Sequence, residues 1–146
     1  MMKFDVIPIG HVEKKEGKRV QLLIKSKYWD ATLRIDEFSH LHVIWWADGL
    51  DNKDNRSHLK DVPPVEGAEM SGVFASRSPA RPNVLCLSIV KLLQVDNKSK
   101  RLIVDQISAN DGTPIIDIKP YMPSSDRVDD ARVPEWFIGL KKRYTK

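Results

Sequence analysis

Apolar and polar residues alternate with a period of two along most of the chain, and this pattern constrains its fold more than any other feature. It predicts seven strands, whose β-branched and aromatic content is typical of sheets: residues 4–12, 19–26, 40–48, 70–76, 85–95, 101–108 and 113–121. Turn-forming residues separate these segments, and no glycine-rich nucleotide loop occurs among them. The sequence therefore predicts an all-β, mainly antiparallel fold, in the form of a small closed or nearly closed β-barrel of about seven strands.

Two segments depart from this period. Residues 28–38 and 133–144 carry apolar side chains three or four positions apart, which predicts one or two short helices. Residues 49–69 form a long polar connection, and loops of that length are more often functional or mobile than plain connectors.

Size and composition indicate one domain. The chain has 146 residues, of which 41% are hydrophobic and 30% are charged, and this length suits a single core. We expect one domain over residues 1–146 with a basic tail at about 133–146. Because no apolar run approaches the ~20 residues that span a bilayer, and no leader pattern opens the chain, we expect a cytoplasmic protein that makes no membrane contact.

Few residues offer metal or nucleophile chemistry. Cys86 is the single cysteine, so it has no disulfide partner in the chain, and its apolar surroundings predict a core position. His40 and His42 point to one face of a strand, without the carboxylate spacing of a metal site. We expect no metal.

The basic residues cluster. The net charge is +4, and residues 14–19, 98–101 and 141–146 carry much of the excess. Such clusters can follow a phosphate backbone and make binding salt-dependent, but solvated loops and tails look the same. Charge alone leaves both interpretations open.

A loop rich in arginine and proline interrupts the most hydrophobic stretch, residues 72–88. Pro79 and Pro82 fix the backbone and remove two amide donors. Arg77 and Arg81 offer planar guanidinium groups suited to carboxylates or phosphates. The pattern predicts a stiff anion-binding loop; the alternative is that nearby acids neutralise both arginines.

A second polar segment begins at the turn Asn110–Gly112, where glycine permits positive φ. In the following strand, two charged residues, Asp117 and Lys119, share one face. Ile116 and Ile118 are expected on the opposite face. A salt bridge between the two charged residues is the simplest explanation.

Four segments together resemble, in order and spacing, the YaeB/TrmO family, also called the TsaA-like family: "PIGHV" (8–12), "FSHLHVIWWAD" (38–48), "GVFASRSPARPN" (72–83) and "DGTPIIDIKPYMPSSD" (111–126). Its characterised members use S-adenosylmethionine to methylate the threonylcarbamoyl-modified adenosine beside the anticodon of certain tRNAs. The resemblance covers most of the chain from Pro8 to Asp126.

The resemblance implies a β-barrel that forms a homodimer, holds S-adenosyl-L-methionine near the subunit boundary and acts on tRNA. The cofactor-binding residues that it implies are Arg77, Arg81, Asn83, Leu87, Asn110, Asp111, Gly112 and Thr113. Asp111 and Asp117 are the candidates for a catalytic base. Trp45 and Trp46 face opposite ways on one strand, so one of them is a candidate stacking surface for a base.

Some family features are missing. Members usually carry Pro-Arg-Gln after the first strand and Pro-Ile-Gly after "RPN"; this chain has neither. The departures keep two alternatives open: a paralogue that methylates a different, small acceptor, and a non-catalytic RNA-binding barrel.

Overall fold

The computed structural model describes residues 1–138 and 140. They divide into two compact units. The described part of the first comprises Met1–Ala47 and Leu85–Tyr121; the second comprises Asp48–Val84 and the described residues from Met122 onward. The single domain expected over residues 1–146 stays a prediction.

The described residues form eight strands, all paired antiparallel: β1 (Gly10–Glu13), β2 (Val20–Ile24), β3 (His40–Trp46), β4 (Lys60–Asp61), β5 (Ser71–Gly72), β6 (Leu85–Asp96), β7 (Arg101–Val104) and β8 (Pro114–Pro120). In the first unit the strand order is β1-β2-β7-β6-β3-β8. β8 pairs again with β1 through Gly10 and Ile115, which closes the order into a ring of six strands. β4 and β5 form a small sheet in the second unit. The mainly antiparallel, all-β prediction is confirmed.

Two predicted strands are shorter in the structure. The first begins only at Gly10, and the segment 70–76 pairs only over Ser71–Gly72 before a 3-10 helix, Val73–Ala75. The carbonyl group of Val73 accepts a hydrogen bond from an arginine side chain instead of a neighbouring strand. The prediction of a strand through residue 76 was therefore wrong.

The helices are all short. The segment 28–38 forms two 3-10 helices, Ser26–Thr32 and Ile35–Glu37. The long polar connection contains the 3-10 helix Asp48–Leu50, α1 (Lys53–Arg56) and β4; α2 (Pro123–Asp126) and α3 (Glu135–Ile138) follow later. α3 lies in the helix predicted over 133–144, of which residues 139 and 141–144 lie outside the described residues. No helix in the described part of the chain has the length and apolar character that a membrane crossing requires.

The core lies inside the ring, where alternate residues of its strands meet. Leu22 of β2 lies opposite Leu102 of β7, for example, and Val20 lies opposite Val104. The buried cluster is Val12, Leu22, Ile24, Trp29, Leu41, Val43, Val90, Leu102, Val104, Ile107, Ala109 and Ile115. Cys86, which the sequence predicted in the core, is half-buried and lies outside this cluster. That prediction was wrong: Cys86 is the second residue of β6, four residues before Val90, the residue of this strand that enters the core.

A β-bulge in β8 changes which isoleucines are buried. Trp45 pairs with Ile115 and the preceding residue, Ile44, pairs with Asp117, so Ile116 is an extra residue in the strand. Ile115 is fully buried and Ile118 packs against the core, whereas Ile116 is only half-buried. The prediction that Ile116 and Ile118 share one face of the strand was wrong, because strict alternation fails across a bulge.

Gly10 allows β1 to approach β2 closely. A Cβ atom at this position would overlap the backbone oxygen of Leu23. Glycine in the "PIGHV" segment is therefore a steric requirement of the ring.

Candidate functional site

The arginine and proline loop is held together by one of its own side chains. The Nη1 atom of Arg81 donates to the carbonyl groups of Ser78, at 3.0 Å, and Ser76, at 3.3 Å. Its Nη2 atom donates to the carbonyl group of Val73, at 2.9 Å. We call this set of three bonds the Arg81 clamp. Arg81 therefore stabilises the bend of the loop from within.

A second arginine supports the same loop from α1. Arg56 donates from Nη1 to the carbonyl group of Pro82, at 3.1 Å, and from Nε to Asp51, at 2.5 Å. The hydrogen bond that Arg56 donates to Asp51 raises the pKa of Arg56 above its ordinary value. Val73 and Val84, the buried residues at the two ends of the loop, anchor it. Because the prolines lack amide donors, arginine side chains supply donors that the loop backbone cannot.

Arg77 differs from Arg81. Its side chain is exposed, like that of Asn83 on the same loop. Among the described residues, neither Arg77 nor Arg81 forms an ion pair with a carboxylate. The alternative in which nearby acids neutralise both arginines is thus not what the described residues show.

The turn Asn110–Gly112 forms as predicted. Gly112 has φ of 81°, and the amide group of Thr113 donates to the carbonyl group of Asn110 at 3.2 Å. Thr113 is 4% exposed. The positive φ confirms the prediction that glycine stands here because it permits this backbone conformation.

This turn is attached to the end of β1. The amide group of Gly112 donates to the carbonyl group of Val12 at 2.7 Å. The Oδ1 atom of Asp111 accepts a hydrogen bond from the amide group of Lys14 at 2.8 Å. The Asp111 carboxylate thus binds the chain beyond β1 rather than its own backbone, and Asp111 is exposed.

A polar chain connects the ring wall to the segment before the turn. Trp45 donates from Nε1 to the Oγ atom of Ser88, at 3.0 Å, and this oxygen lies 3.4 Å from Oγ of Ser108. Ser108 could not be identified from the sequence, since a lone serine carries no signal without its partner in space. Trp45 packs against the core, whereas the half-buried Trp46 does not belong to the core cluster. The prediction that the two tryptophans face different surroundings is confirmed.

Asp117 and Leu87 lie on the outer face of the ring, in line with Ile44 between them. The Oδ2 atom of Asp117 lies 3.2 Å from Nζ of Lys119, and its Oδ1 atom accepts from the amide group of Ile118 at 2.9 Å. The predicted salt bridge is confirmed. Both carboxylate oxygens of Asp117 are therefore engaged.

The predicted cofactor residues fall into two sets. Arg77, Arg81 and Asn83 belong to the second unit, where they share one loop. Leu87 and the turn residues 110–113 belong to the first unit. Within that unit Leu87 precedes Ser88, whose partner Ser108 lies two residues before the turn, so these residues are connected.

The two histidines of β3 have local partners. His40 Nδ1 lies 2.7 Å from Oγ of Ser39, and the ring of His42 lies 5.5 Å from that of Tyr121. Among the described residues, no group of three or more His, Cys, Asp or Glu side chains is arranged to hold a metal ion.

Comparisons with known proteins agree on one family. The family model described as the tRNA-methyltransferase O N-terminal domain matches residues 5–127. A relative from Archaeoglobus fulgidus, described as an S-adenosyl-L-methionine-binding protein, is 40% identical over 75% of this chain and 73% of its own length. A tRNA (adenine(37)-N6)-methyltransferase from Escherichia coli is 32% identical over 84% of this chain and 52% of its own length.

Solved structures give the same result. A crystal structure of TrmO is 28% identical, with a TM-score of 0.70, over 91% of this chain and 64% of that one. The chain spans about half the length of the Escherichia coli relative, and only 32% of the length of another Archaeoglobus fulgidus relative. The match over residues 5–127 shows that the chain belongs to the family of the tRNA-methyltransferase O N-terminal domain.

Proposed function

We propose that the chain is an S-adenosyl-L-methionine-dependent methyltransferase that N-methylates the threonylcarbamoyl-modified adenosine next to the tRNA anticodon. Family membership over residues 5–127 is the observation that carries the proposal. The printed descriptions of the Archaeoglobus fulgidus and Escherichia coli relatives support the cofactor and the tRNA substrate respectively. A tRNA substrate also supports a cytoplasmic location.

The closed six-stranded ring is, in this proposal, the β-barrel of the family. The pairing of β8 with β1 supports it, because closure leaves the ring without an open edge strand. The barrel supplies a rigid base for the turn at residues 110–113.

Arg77 is the proposed ligand for the carboxylate of the cofactor. Its guanidinium group is exposed and offers a planar fork of donors. The Arg81 clamp fixes the loop before the ligand arrives, which reduces the ordering cost of binding. Arg81 thus acts as a positioning residue, while Asn83 offers an exposed amide on the same loop.

The residues of the first unit suit the apolar and the positively charged parts of the cofactor. Leu87, 49% exposed, offers apolar surface, and the turn at residues 110–113 offers carbonyl groups and the Asp111 carboxylate, groups that favour a positive charge nearby. When bound, S-adenosyl-L-methionine supplies a methyl group on a cationic sulfur. The protein then has mainly to align the acceptor nitrogen with that methyl group.

Asp111 is the better candidate for the catalytic base. The acceptor nitrogen loses a proton as it gains the methyl group, and a carboxylate can take that proton. Asp117 already uses both oxygens, on Lys119 and on the amide group of Ile118. Within the described part of the chain, the Asp111 carboxylate accepts one hydrogen bond, from the amide group of Lys14 to Oδ1, so its second oxygen is open to the acceptor.

Calorimetry on ligand-free protein tests the cofactor site. We expect S-adenosyl-L-methionine to bind the wild type, and Arg77→Ala to weaken binding by about tenfold or more, the ~1.5–3 kcal/mol of a charged hydrogen bond. Arg132→Ala removes another exposed arginine of the second unit and serves as the control. Absence of binding to the wild type would reject the proposal.

A paralogue with a small acceptor is the second candidate. One observation favours it: where family members carry Pro-Arg-Gln, residues 14–19 form a tight connection between β1 and β2, with Gly17 at φ of 73°. Mass spectrometry of tRNA from cells that lack the gene separates the two. Loss of the methylated adenosine supports the tRNA substrate; an unchanged modification profile supports the paralogue.

A homodimer is the proposed assembly. Leu85, Leu87 and Ile89 occupy alternate positions of β6 and are 39%, 49% and 40% exposed. A contiguous apolar row of this kind is typical of an interface. Leu87→Asp should shift the sedimentation coefficient to that of a monomer, whereas Leu33→Asp, at a position 83% exposed elsewhere, should leave it unchanged.

A further inference from the structure

At one end of the ring, the 3-10 helix Ser26–Thr32 packs on the turn between β6 and β7. Trp29 is 7% exposed, and its Nε1 atom donates to Oδ1 of Asn97 at 3.2 Å. The amide group of Ile24 donates to the carbonyl group of Lys100 at 3.0 Å. These contacts bring together two stretches of chain that are far apart in sequence.

Each stretch contributes two lysines to this end of the ring. Lys25 and Lys27 come from the start of the helix, and Lys98 and Lys100 come from the turn. Lys25, Lys27 and Lys98 are exposed, and Lys100 is half-buried. We call these four residues the lysine patch.

The acidic residues beside the lysine patch do not neutralise it. The Oδ1 atom of Asp96 accepts hydrogen bonds from the amide groups of Lys98, at 3.0 Å, and Ser99, at 3.1 Å, so this carboxylate caps the turn. Asp30, on the helix, forms no ion pair with a described residue. The same holds for the four lysines within the described part of the chain.

Aromatic rings lie under two of the ammonium groups. The Nζ atom of Lys27 is 5.0 Å from the centroid of the Tyr28 ring, and that of Lys100 is 5.6 Å from the centroid of the Trp29 ring. Both distances are within the range of a cation–π contact. Such contacts restrict the lysines without removing their charge.

The other basic hairpin of the ring is different. In the connection after β1, Lys15 lies 3.2 Å from Glu13, and Glu13 also pairs with Arg101 at 2.7 Å. Part of the charge at residues 14–19 is thus matched by an acid, whereas that of the lysine patch is not.

We propose that the lysine patch binds RNA phosphates and holds the tRNA on the enzyme, through residues that take no part in methyl transfer. Ammonium groups are compact point charges that suit phosphates without reading sequence. The inference rests on the proposed function, because it assigns a contact surface to the tRNA of that reaction.

Filter binding of tRNA over a range of salt concentrations tests the inference. The patch variant carries Lys25→Ser and Lys98→Ser, two exposed positions. The control carries Lys14→Ser and Lys18→Ser, the same change of charge on the other hairpin.

Each phosphate contact contributes about 0.9 to the slope of log affinity against log salt on a duplex and about 0.7 on a single strand. The patch variant should lose about tenfold or more in affinity at low salt, with a slope smaller by about 1.4–1.8, while the control stays within about twofold. Lys25→Arg with Lys98→Arg should restore binding, because the charge is kept.

The outcomes of this experiment test the role of the lysine patch and the proposed methyl transfer separately. An unchanged affinity and slope in the patch variant would overturn the inference, and the proposed methyl transfer would stand. If tRNA binds through the patch but receives no methyl group from S-adenosyl-L-methionine, the inference stands and the proposed function fails. No binding of tRNA by the wild type would overturn both. Calorimetry with S-adenosyl-L-methionine on the patch variant should match the wild type, which shows that the fold is intact.

Discussion

The ring of the first unit and the arginine and proline loop of the second are stabilised by different forces. The ring buries a cluster of aliphatic side chains from its strands, among them Leu22, Val90 and Leu102, all fully buried. In the second unit, Val73 and Val84 are the buried hydrophobic residues among those described. The loop relies on arginine donors and backbone carbonyl acceptors instead.

The difference explains how a bend rich in proline keeps one shape. Hydrophobic burial is not directional, so it can close the ring but cannot set the path of a short irregular loop. Hydrogen bonds from a planar guanidinium group are directional, and the Arg81 clamp reaches three carbonyl groups at once. Arg77, four residues earlier, is exposed on the surface of that loop.

The largest expected effect comes from the ring. Val90→Ala removes two buried methyl groups and leaves a cavity, so the free energy of unfolding should fall by about 2 kcal/mol or more. Leu33→Ala, at a position 83% exposed in the same unit, should change it by less than about 0.5 kcal/mol. Urea denaturation measures both. Equal losses in the two variants would mean that the ring does not depend on its core.

A change in the loop should cost less stability than a change in the core of the ring, and its effect should be confined to the loop. Arg81→Ala removes three hydrogen bonds to backbone carbonyl groups of the loop, and we expect a loss of about 1–3 kcal/mol. Hydrogen exchange should accelerate over residues 73–83. Arg77→Ala, on the same loop but exposed, should leave exchange unchanged, and Arg81→Lys should not restore protection because one ammonium group cannot replace the fork. Normal protection in Arg81→Ala would contradict the clamp.

Much of the ring could be predicted from the sequence, because alternation with a period of two records which side chains face the core. The prediction failed where the backbone departs from that period. The bulge at Ile116 exchanged one isoleucine for another in the core. Val73–Ala75 left the sheet for a 3-10 helix. Neither event changes the composition of the segment, so neither leaves a signal in hydrophobicity.

The loop was harder to predict because its two arginines are equivalent in sequence. Both lie within two residues of a proline, and both carry the same group, but Arg81 faces the loop and Arg77 does not. The lysine patch depends in the same way on a contact between distant segments, that of Trp29 with Asn97. Only the basic residues of the turn, 98–101, were visible as a cluster in the sequence.

A smaller effect is expected in the turn of the ring. Gly112 has φ of 81°, so Gly112→Ala should cost about 1 kcal/mol from backbone strain although no atom lies within 4 Å of the new Cβ atom. At Gly49 of the second unit there is also no atom within 4 Å of the new Cβ atom, but φ is not positive. Gly49→Ala should therefore be neutral or slightly stabilising. Thermal unfolding of the two variants separates strain from crowding. A neutral Gly112→Ala would show that the turn readily adopts another conformation.

The smallest effect, a dependence on pH, should separate the ring from the Arg81 clamp. Hydrogen bonds with Lys15, together with the charge of Arg101, hold the pKa of Glu13 below its ordinary value, and hydrogen bonds from Ser99 and Lys98 do the same for the pKa of Asp96. The unfolded chain therefore binds protons at a higher pH than the folded one, and this contribution to stability is present at neutral pH. It is lost as the pH falls from about 4.5 through the lowered values.

Urea denaturation between pH 7 and pH 3 measures this dependence. Asp96→Asn and Glu13→Gln should each flatten the decrease in the free energy of unfolding, since each removes one carboxylate whose pKa is lowered. The Arg81 clamp joins a guanidinium group to backbone carbonyl groups and contains no carboxylate. The stability difference between the wild type and Arg81→Ala should therefore stay constant with pH. A difference that disappears in acid would mean that a carboxylate, and not the loop backbone, holds Arg81.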